Sequence, residues 1–342
     1  MTRVAVDLAR PVVLGPNQPP ERFYRGGDRI AAFRGRQAGA ERVPEDWVGS
    51  TTALFGDTGL GLSTLPDGRL LAEAVEADAV HWLGAGHVGR FGADIGLLVK
   101  LLDAGERLPV HAHPDVAFAH DALGLGHGKT EAWIVLEPGD VHLGFARDVG
   151  RAELGDWVER QDVPAMLGAM HRLTLSRGDA VLVPAGIPHA IGDGLLVVEL
   201  QEPTDLSILL EWDGYGIDGR RDGHLGLGHP AALDAVDTHG WSAAEVRGLV
   251  RATAGTDGPL LPGGEPFFRA ERWRAPGAWD AGFAVVVVID GTGELVDRDG
   301  RTTDLRRGST VLVPHAAGEL DLVAGPRLEV VRCRPPAPSQ TG

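Results

Sequence analysis

The segments RGDAVLVPAGIPHAI (177–191) and RGSTVLVPHAAGELD (307–321) share an R-G-x-x-V-L-V-P core at a separation of 130 residues. An echo of that period within 342 residues points to two related units, each built around the same short strand. The neighbouring segments point the same way. IGLLVKLLDA (95–104), EAWIVLE (131–137), DAVLVPA (179–185) and GLLVVELQ (194–201) are short, β-prone in composition and bounded by Gly, Pro or Asp, so each is expected to be a strand. The 49 glycines and 23 prolines are dispersed between such runs, as many short strands joined by turns require. VVVVID and ELVD flank Gly-Thr-Gly at 291–293 in the manner of a hairpin.

Two helical interruptions are expected. In the interval 151–171, Leu154, Trp157, Val158, Met166, Leu167 and Met170 recur at helical spacing, and Pro164 divides the stretch into two helices. After a Gly-rich loop at 213–228, HPAALDAVD enters a short helix through Pro230, and WSAAEVRGLV begins another capped by Ser242. The expected organisation is therefore a first β unit over 1–212 with its helical insertion, a loop and helical linker over 213–264, and a second β unit over 265–342.

Charge and cysteine usage narrow the partners. A net charge of −16 argues against nucleic acid and anionic membranes, which need basic surface, and leaves small ligands open. No window is apolar over the length that spans a bilayer. The single cysteine, Cys333, and a start, MTRVAVDLAR, that lacks a charged-then-apolar region lead us to expect a cytoplasmic protein without disulfides.

The chemistry concentrates in LPVHAHPD (108–115). Residues two apart on a strand project to one face, so His111 and His113 can touch a single small cation. An H-x-H pair alone is weak. Here Gly105 precedes His111 with five residues between, Gly178 precedes Pro184 with the same gap, and the second segment ends in His189. These two parts resemble the signature of the cupin barrel. The resemblance implies a mainly β chain of two cupin (double-stranded β-helix, jelly-roll) barrels. The second copy lacks an H-x-H strand and its lone His315 is displaced, so any metal is expected in the first unit.

The run HPDVAFAHDALGLGHGKTEAWIVLEP, with EDWVGS (45–50), LLVKLLDAGERLPVHAHP and GDAVLVPAGIPHAIGDGLLVVELQEPTDLS, resembles the type I mannose-6-phosphate isomerases over about residues 20–240. Carried over position by position, the resemblance implies metal ligands at His111, His113, Glu131 and His189. Three nitrogens and one carboxylate suit Zn²⁺, and also Mn²⁺, Fe²⁺ or Ni²⁺. It implies an aldose–ketose isomerase that moves a proton between C1 and C2 of a sugar or sugar phosphate through a cis-enediol, with Lys129, Lys100, Glu45 and Glu199 lining the pocket. Lys100 lies among apolar residues and must meet a carboxylate or the cavity to be buried.

Three positions depart from that family. His111 stands where it keeps glutamine, Pro109 where it keeps serine, and Leu209 where it keeps an arginine. Leucine donates no hydrogen bond to phosphate, so a non-phosphorylated sugar is a rival substrate, with Arg220 or Arg221 of the following loop as a replacement cation. Two other classes share such a donor set: a cupin dioxygenase with a redox metal, and a sugar-binding cupin without turnover.

Overall fold

The repeated R-G-x-x-V-L-V-P segments begin at matching turns. Gly178 and Gly308 have φ of 89° and 81°, a region that side chains with a Cβ rarely occupy. The strands that follow, Ala180–Val183 and Thr310–Val313, take equivalent places in two six-stranded antiparallel sheets. This computed structural model describes residues 6–253 and 255–337.

The first large sheet runs Val250–Arg251, Ala180–Val183, Glu131–Glu137, Leu196–Gln201, Leu98–Asp103, Glu45–Val48. The second runs Val12–Leu14, Thr310–Val313, Ala284–Asp290, Glu329–Arg334, Arg269–Trp273, Gly258–Pro259. Each faces a smaller antiparallel sheet. The first small sheet orders Ile208–Leu209, His111–Ala112, His189–Ile191, Gly139–Phe145 and Met170–Leu175. The second orders Gly277–Trp279, Leu320–Ala324, Thr292–Val296 and Thr302–Arg306. The chain is thus mainly β, and the two halves repeat one strand order.

Strand alternation explains the packing. Along Leu98–Asp103, Val99 and Leu101 point to one side and Lys100 and Leu102 to the other; along Glu131–Glu137, Ala132 and Ile134 oppose Glu131 and Trp133. The outer set, with Val198 and Leu200, packs against Val285, Val287, Leu312 and Val331, so the two large sheets meet back to back. Each such aliphatic side chain contributes about 1.5–3 kcal/mol on burial. The inner face of the second half is filled by Val286, Val288, Val311, Val313 and Leu322.

One sequence expectation is overturned. Ala284–Asp290 and Thr292–Val296 do not pair as a hairpin; the first belongs to the second large sheet and the second to its small partner. Gly291, at φ 69°, carries the chain between sheets, and a Cβ there would meet the Arg327 backbone at 2.3 Å. The helical insertion is present as Arg151–Arg160 and Val163–Ala169, with Asp162 accepting from the Ala165 N–H at 3.1 Å. In the linker, Ser242 and Glu245 form a capping box at the start of Ala243–Gly248. Between His113 and Glu131 the chain forms the helix Val116–Leu123, capped by Asp115. The described residues contain no helix long and apolar enough to cross a membrane.

A buried ion pair ties the halves together. Arg34 Nε donates to Asp46 at 2.6 Å, and its Nη1 donates to Gly308 O and Thr310 Oγ1 at 3.2 and 3.3 Å. Asp46 is fully buried. Arg34→Ala strands that carboxylate, and we expect a loss of about 3 kcal/mol in urea denaturation. The double change Arg34→Met with Asp46→Leu is expected to regain most of it, since no charge is then left buried.

Candidate functional site

His111 sits directly opposite His189 in the first small sheet, and Leu209 sits opposite His111 on its other side. Opposed residues share a face, so both imidazoles enter the space between the first pair of sheets, with Leu209 beside them. His113 follows two residues on, and the three ring systems lie 4.1 to 5.0 Å apart by centroid.

Each ring is oriented by its own backbone partner. His111 Nδ1 contacts Pro109 O at 2.8 Å, His113 Nδ1 contacts Leu206 O at 2.7 Å, and His189 Nδ1 contacts Ile187 O at 2.9 Å. A carbonyl only accepts, so each Nδ1 carries the proton and donates it. Burial, together with the neighbouring imidazoles, pushes His111 well below its ordinary pKa. Burial and the Lys129 ammonium push His113 down to about 3. These two rings are therefore neutral at pH 7, with their Nε2 lone pairs free to accept. Lys129 Nζ donates to His113 Nε2 at 2.8 Å, and the buried His189 Nε2 has no hydrogen bond. The three residues offer ligand atoms within 4.8 Å of one another, a set able to hold a metal ion.

Glu131 adjoins this triad from the opposite sheet. Its Oε2 accepts from Lys129 and lies 3.1 Å from His113 Nε2; its Oε1 accepts from Trp133 Nε1 at 2.9 Å and lies 3.3 Å from His189 Nε2. Burial acts to raise this carboxyl, but the Lys129 ammonium holds it well below the usual range.

A second charged group lies in the same sheet. The register sets Trp47, Lys100, Glu199 and Trp133 in one row across four strands. Lys100 Nζ lies 3.6 Å from Glu45, 3.7 Å from Glu199 and 3.8 Å from Asp205, and 4.5 Å above the Trp47 ring. Its burial is met by carboxylates, as the sequence requires. Glu45 accepts from Tyr24 Oη, from Trp47 Nε1 at 2.6 Å and from Arg22 Nε at 3.1 Å. Against the effect of burial, Arg22 and Lys100 hold Glu45 well below the ordinary carboxylate range. Glu199 behaves oppositely: burial, reinforced by the Glu131 charge, pushes it up to about 7.

These residues meet in a cavity of about 240 Å³ that brings together Glu45, Lys100, His111, Lys129, Glu131 and Glu199. His113 and His189 adjoin it through Glu131. Arg220 does not belong to the group: it pairs with Glu159 at 2.5 Å on the exposed side of its loop. Arg221 pairs with Asp222 at 2.7 Å. Both arginines are drawn away by nearer carboxylates. Sequence reasoning missed Arg22, Tyr24 and Asp205, which line the cavity from ERFYRGG and TDLS. Only their mixture of aromatic, charged and glycine residues in short loops hinted at a site.

The raised pKa of Glu199 has a cost at high pH. Its carboxyl is neutral in the folded protein up to about pH 7 but ionises near 4.5 once unfolded, so stability falls as pH rises through that interval. Glu199→Gln lacks this penalty. In metal-free protein the variant should gain about 3 kcal/mol on the wild type between pH 4 and pH 8, read from urea denaturation at each pH.

No family model matches the chain. Among curated proteins it is 25% identical to a mannose-6-phosphate isomerase of Bacillus subtilis over 240 residues, 66% of this chain and 71% of that protein. It is 26% identical to the mannose-6-phosphate isomerase of Streptococcus mutans over 325 residues, 87% of this chain and 93% of that one. The crystal structure of mannose 6-phosphate isomerase from Bacillus subtilis superposes with a TM-score of 0.74 at 22% identity, covering 95% of this chain and 99% of the other. The apo mannose 6-phosphate isomerase of Salmonella typhimurium superposes with a TM-score of 0.70 at 14% identity, covering 96% and 99%. Sequence relatives and structural neighbours alike are mannose-6-phosphate isomerases, and the chain is similar to each of them at low identity.

Proposed function

We propose that the chain is a metal-dependent aldose–ketose isomerase of the mannose-6-phosphate isomerase type, which interconverts an aldose and its 2-ketose through a cis-enediol. The observation that carries this reading is a converging histidine triad and buried carboxylate, opening into a cavity whose Glu199 is held near neutrality. We assign His111, His113, His189 and Glu131 as ligands of the ion in the first unit. Three imidazole Nε2 atoms with a carboxylate beside them suit Zn²⁺, with Mn²⁺, Fe²⁺ and Ni²⁺ as other fitting ions. When bound, the ion offsets the negative charge that develops on the sugar oxygens as the proton moves.

The chain's own residues supply the rest. Glu199, at about 7, both takes and returns a proton near neutral pH, so it is assigned as the group that carries hydrogen between C1 and C2. Lys129 donates to Glu131 and orients its carboxylate, and its contact with His113 Nε2 would give way to the ion. Lys100 and Glu45, fixed by Arg22, Tyr24 and Trp47, present charge and hydrogen-bonding groups to the sugar hydroxyls. The second unit, with its apolar interior, is assigned a structural role. The relatives' names bring mannose 6-phosphate and fructose 6-phosphate to this chain as a first pair to assay. The reaction depends on groups at the reacting carbons and is indifferent to what the sugar carries at its far end. A buried, unpaired Cys333 suits the reducing cytoplasm.

Metal-loaded protein in D₂O should catalyse exchange of the aldose C2 proton and form ketose, both followed by NMR, and lose both on chelation. Oxygen consumption without exchange would replace this reading with a dioxygenase. kcat should rise with pH through a midpoint at or below about 7, because the base must be ionised and a bound cation lowers its pKa. Glu199→Gln should lower kcat by about 10²–10⁴ with metal content unchanged. His111→Gln should retain the ion with weaker affinity, measured by chelator competition.

A further inference from the structure

The cavity's charges are already spoken for. Among the described residues lining it, the cationic side chains are Arg22, Lys100 and Lys129. Arg22 pairs with Glu45 at 3.1 Å and Asp205 at 3.9 Å. Lys100 is shared among Glu45, Glu199 and Asp205, and Lys129 pairs with Glu131. Five carboxylates line the cavity against these three cations, the fifth being Asp222. Each of the three cations is thus already matched by a carboxylate of the wall, and Asp222 is matched by Arg221.

Most of the remaining wall is apolar, the Ser207 hydroxyl and the Tyr24 phenol, which donates to Glu45, being its polar groups. Leu209 beside His111, with Leu108, Pro109, Phe55, Ile217 and Leu225, lines the cavity without a polar side-chain atom. The two arginines of the adjoining loop are held by Glu159 and Asp222. A phosphate monoester brings a charge of about −1.5 to −2 at pH 7 and three strong acceptor oxygens. To be held it needs donors that are not already neutralised, and guanidinium forks serve best. Here it would meet carboxylates and aliphatic carbon, a juxtaposition that disfavours binding.

We infer that the substrate is an aldose uncharged at its far end, a free hexose or 6-deoxyhexose, and that Leu209 and Asp222 set this preference. The inference rests on the isomerase reading, and one experiment separates the two. Zn²⁺-loaded full-length protein is offered D-mannose, 6-deoxy-D-mannose and D-mannose 6-phosphate, which differ only at C6, with C2 exchange and ketose formation followed by NMR. The expected result is turnover of both uncharged sugars with kcat/KM at least about tenfold above that for the phosphate. A phosphosugar preferred by the wild-type protein overturns the inference and leaves the isomerase reading standing. No exchange with any of the three overturns both.

Two variants test the wall. Leu209→Arg adds a cation beside His111, and Asp222→Lys reverses a charge at a partly exposed position where folding is not at stake. Each should move the ratio of kcat/KM for mannose 6-phosphate over mannose upward by about tenfold. An unchanged ratio in folded Asp222→Lys protein removes Asp222 from the assignment, and the same result in folded Leu209→Arg protein removes Leu209. Should Leu209→Arg fail to fold, the wild-type comparison and Asp222→Lys still decide the inference.

Discussion

Each central strand of the first large sheet must satisfy two unlike neighbours at once. One side meets the aliphatic back of the second large sheet, and the other meets a cavity that holds charge. Period-two alternation makes this possible without extra chain. Val99 and Leu101 carry the interface while Lys100 faces the cavity; Val198 and Leu200 do so while Glu199 faces it; Ala132 and Ile134 do so beside Glu131. A one-residue slip in any of these strands would drive a charged side chain into the interface between the sheets. The site's geometry is therefore held by the same packing that joins the two halves.

The charged groups are stable in this setting because they are networked. Glu45 satisfies a guanidinium, a phenol, an indole and an ammonium together, and Glu131 accepts from the Lys129 ammonium and the Trp133 indole. Isolated, any of these charges would be costly to bury. Glu199 is the exception: the ammonium of Lys100 stands 3.7 Å away and is shared with two other carboxylates. That partial neglect raises its pKa. In this sheet the incompletely satisfied carboxylate is the one available to exchange a proton.

Much of this was legible in the sequence for local reasons. The strands at 98–103, 131–137, 180–183 and 196–201 are strongly apolar and sharply bounded, and the repeated R-G-x-x-V-L-V-P segments do occupy equivalent sheet positions. His111, His113 and His189 were visible because spacing on a strand fixes facing. What escaped depended on distant pairing. Gly-Thr-Gly at 291–293 looks like a hairpin turn, but whether the chain reverses or crosses to the opposite sheet is decided by partners from residues 302–334. Arg22, Tyr24 and Asp205 reach the cavity from irregular segments with no periodicity to read. Arg220 was misplaced because a nearby exposed carboxylate, Glu159, captures it.

The two halves also trade strands. Val12–Leu14 forms an edge of the second large sheet beside Thr310–Val313, while Val250–Arg251 forms an edge of the first. During synthesis the strand at Val12–Leu14 has no sheet partner until residues 310–312 have been made. This strand must therefore stay unpaired while both sheets of the first half and most of the second are made, a long window in which a free strand is exposed to other chains. Val13, whose side chain remains half exposed in the finished fold, and Pro11 beside it leave this strand short and poorly suited to pairing with the wrong neighbour.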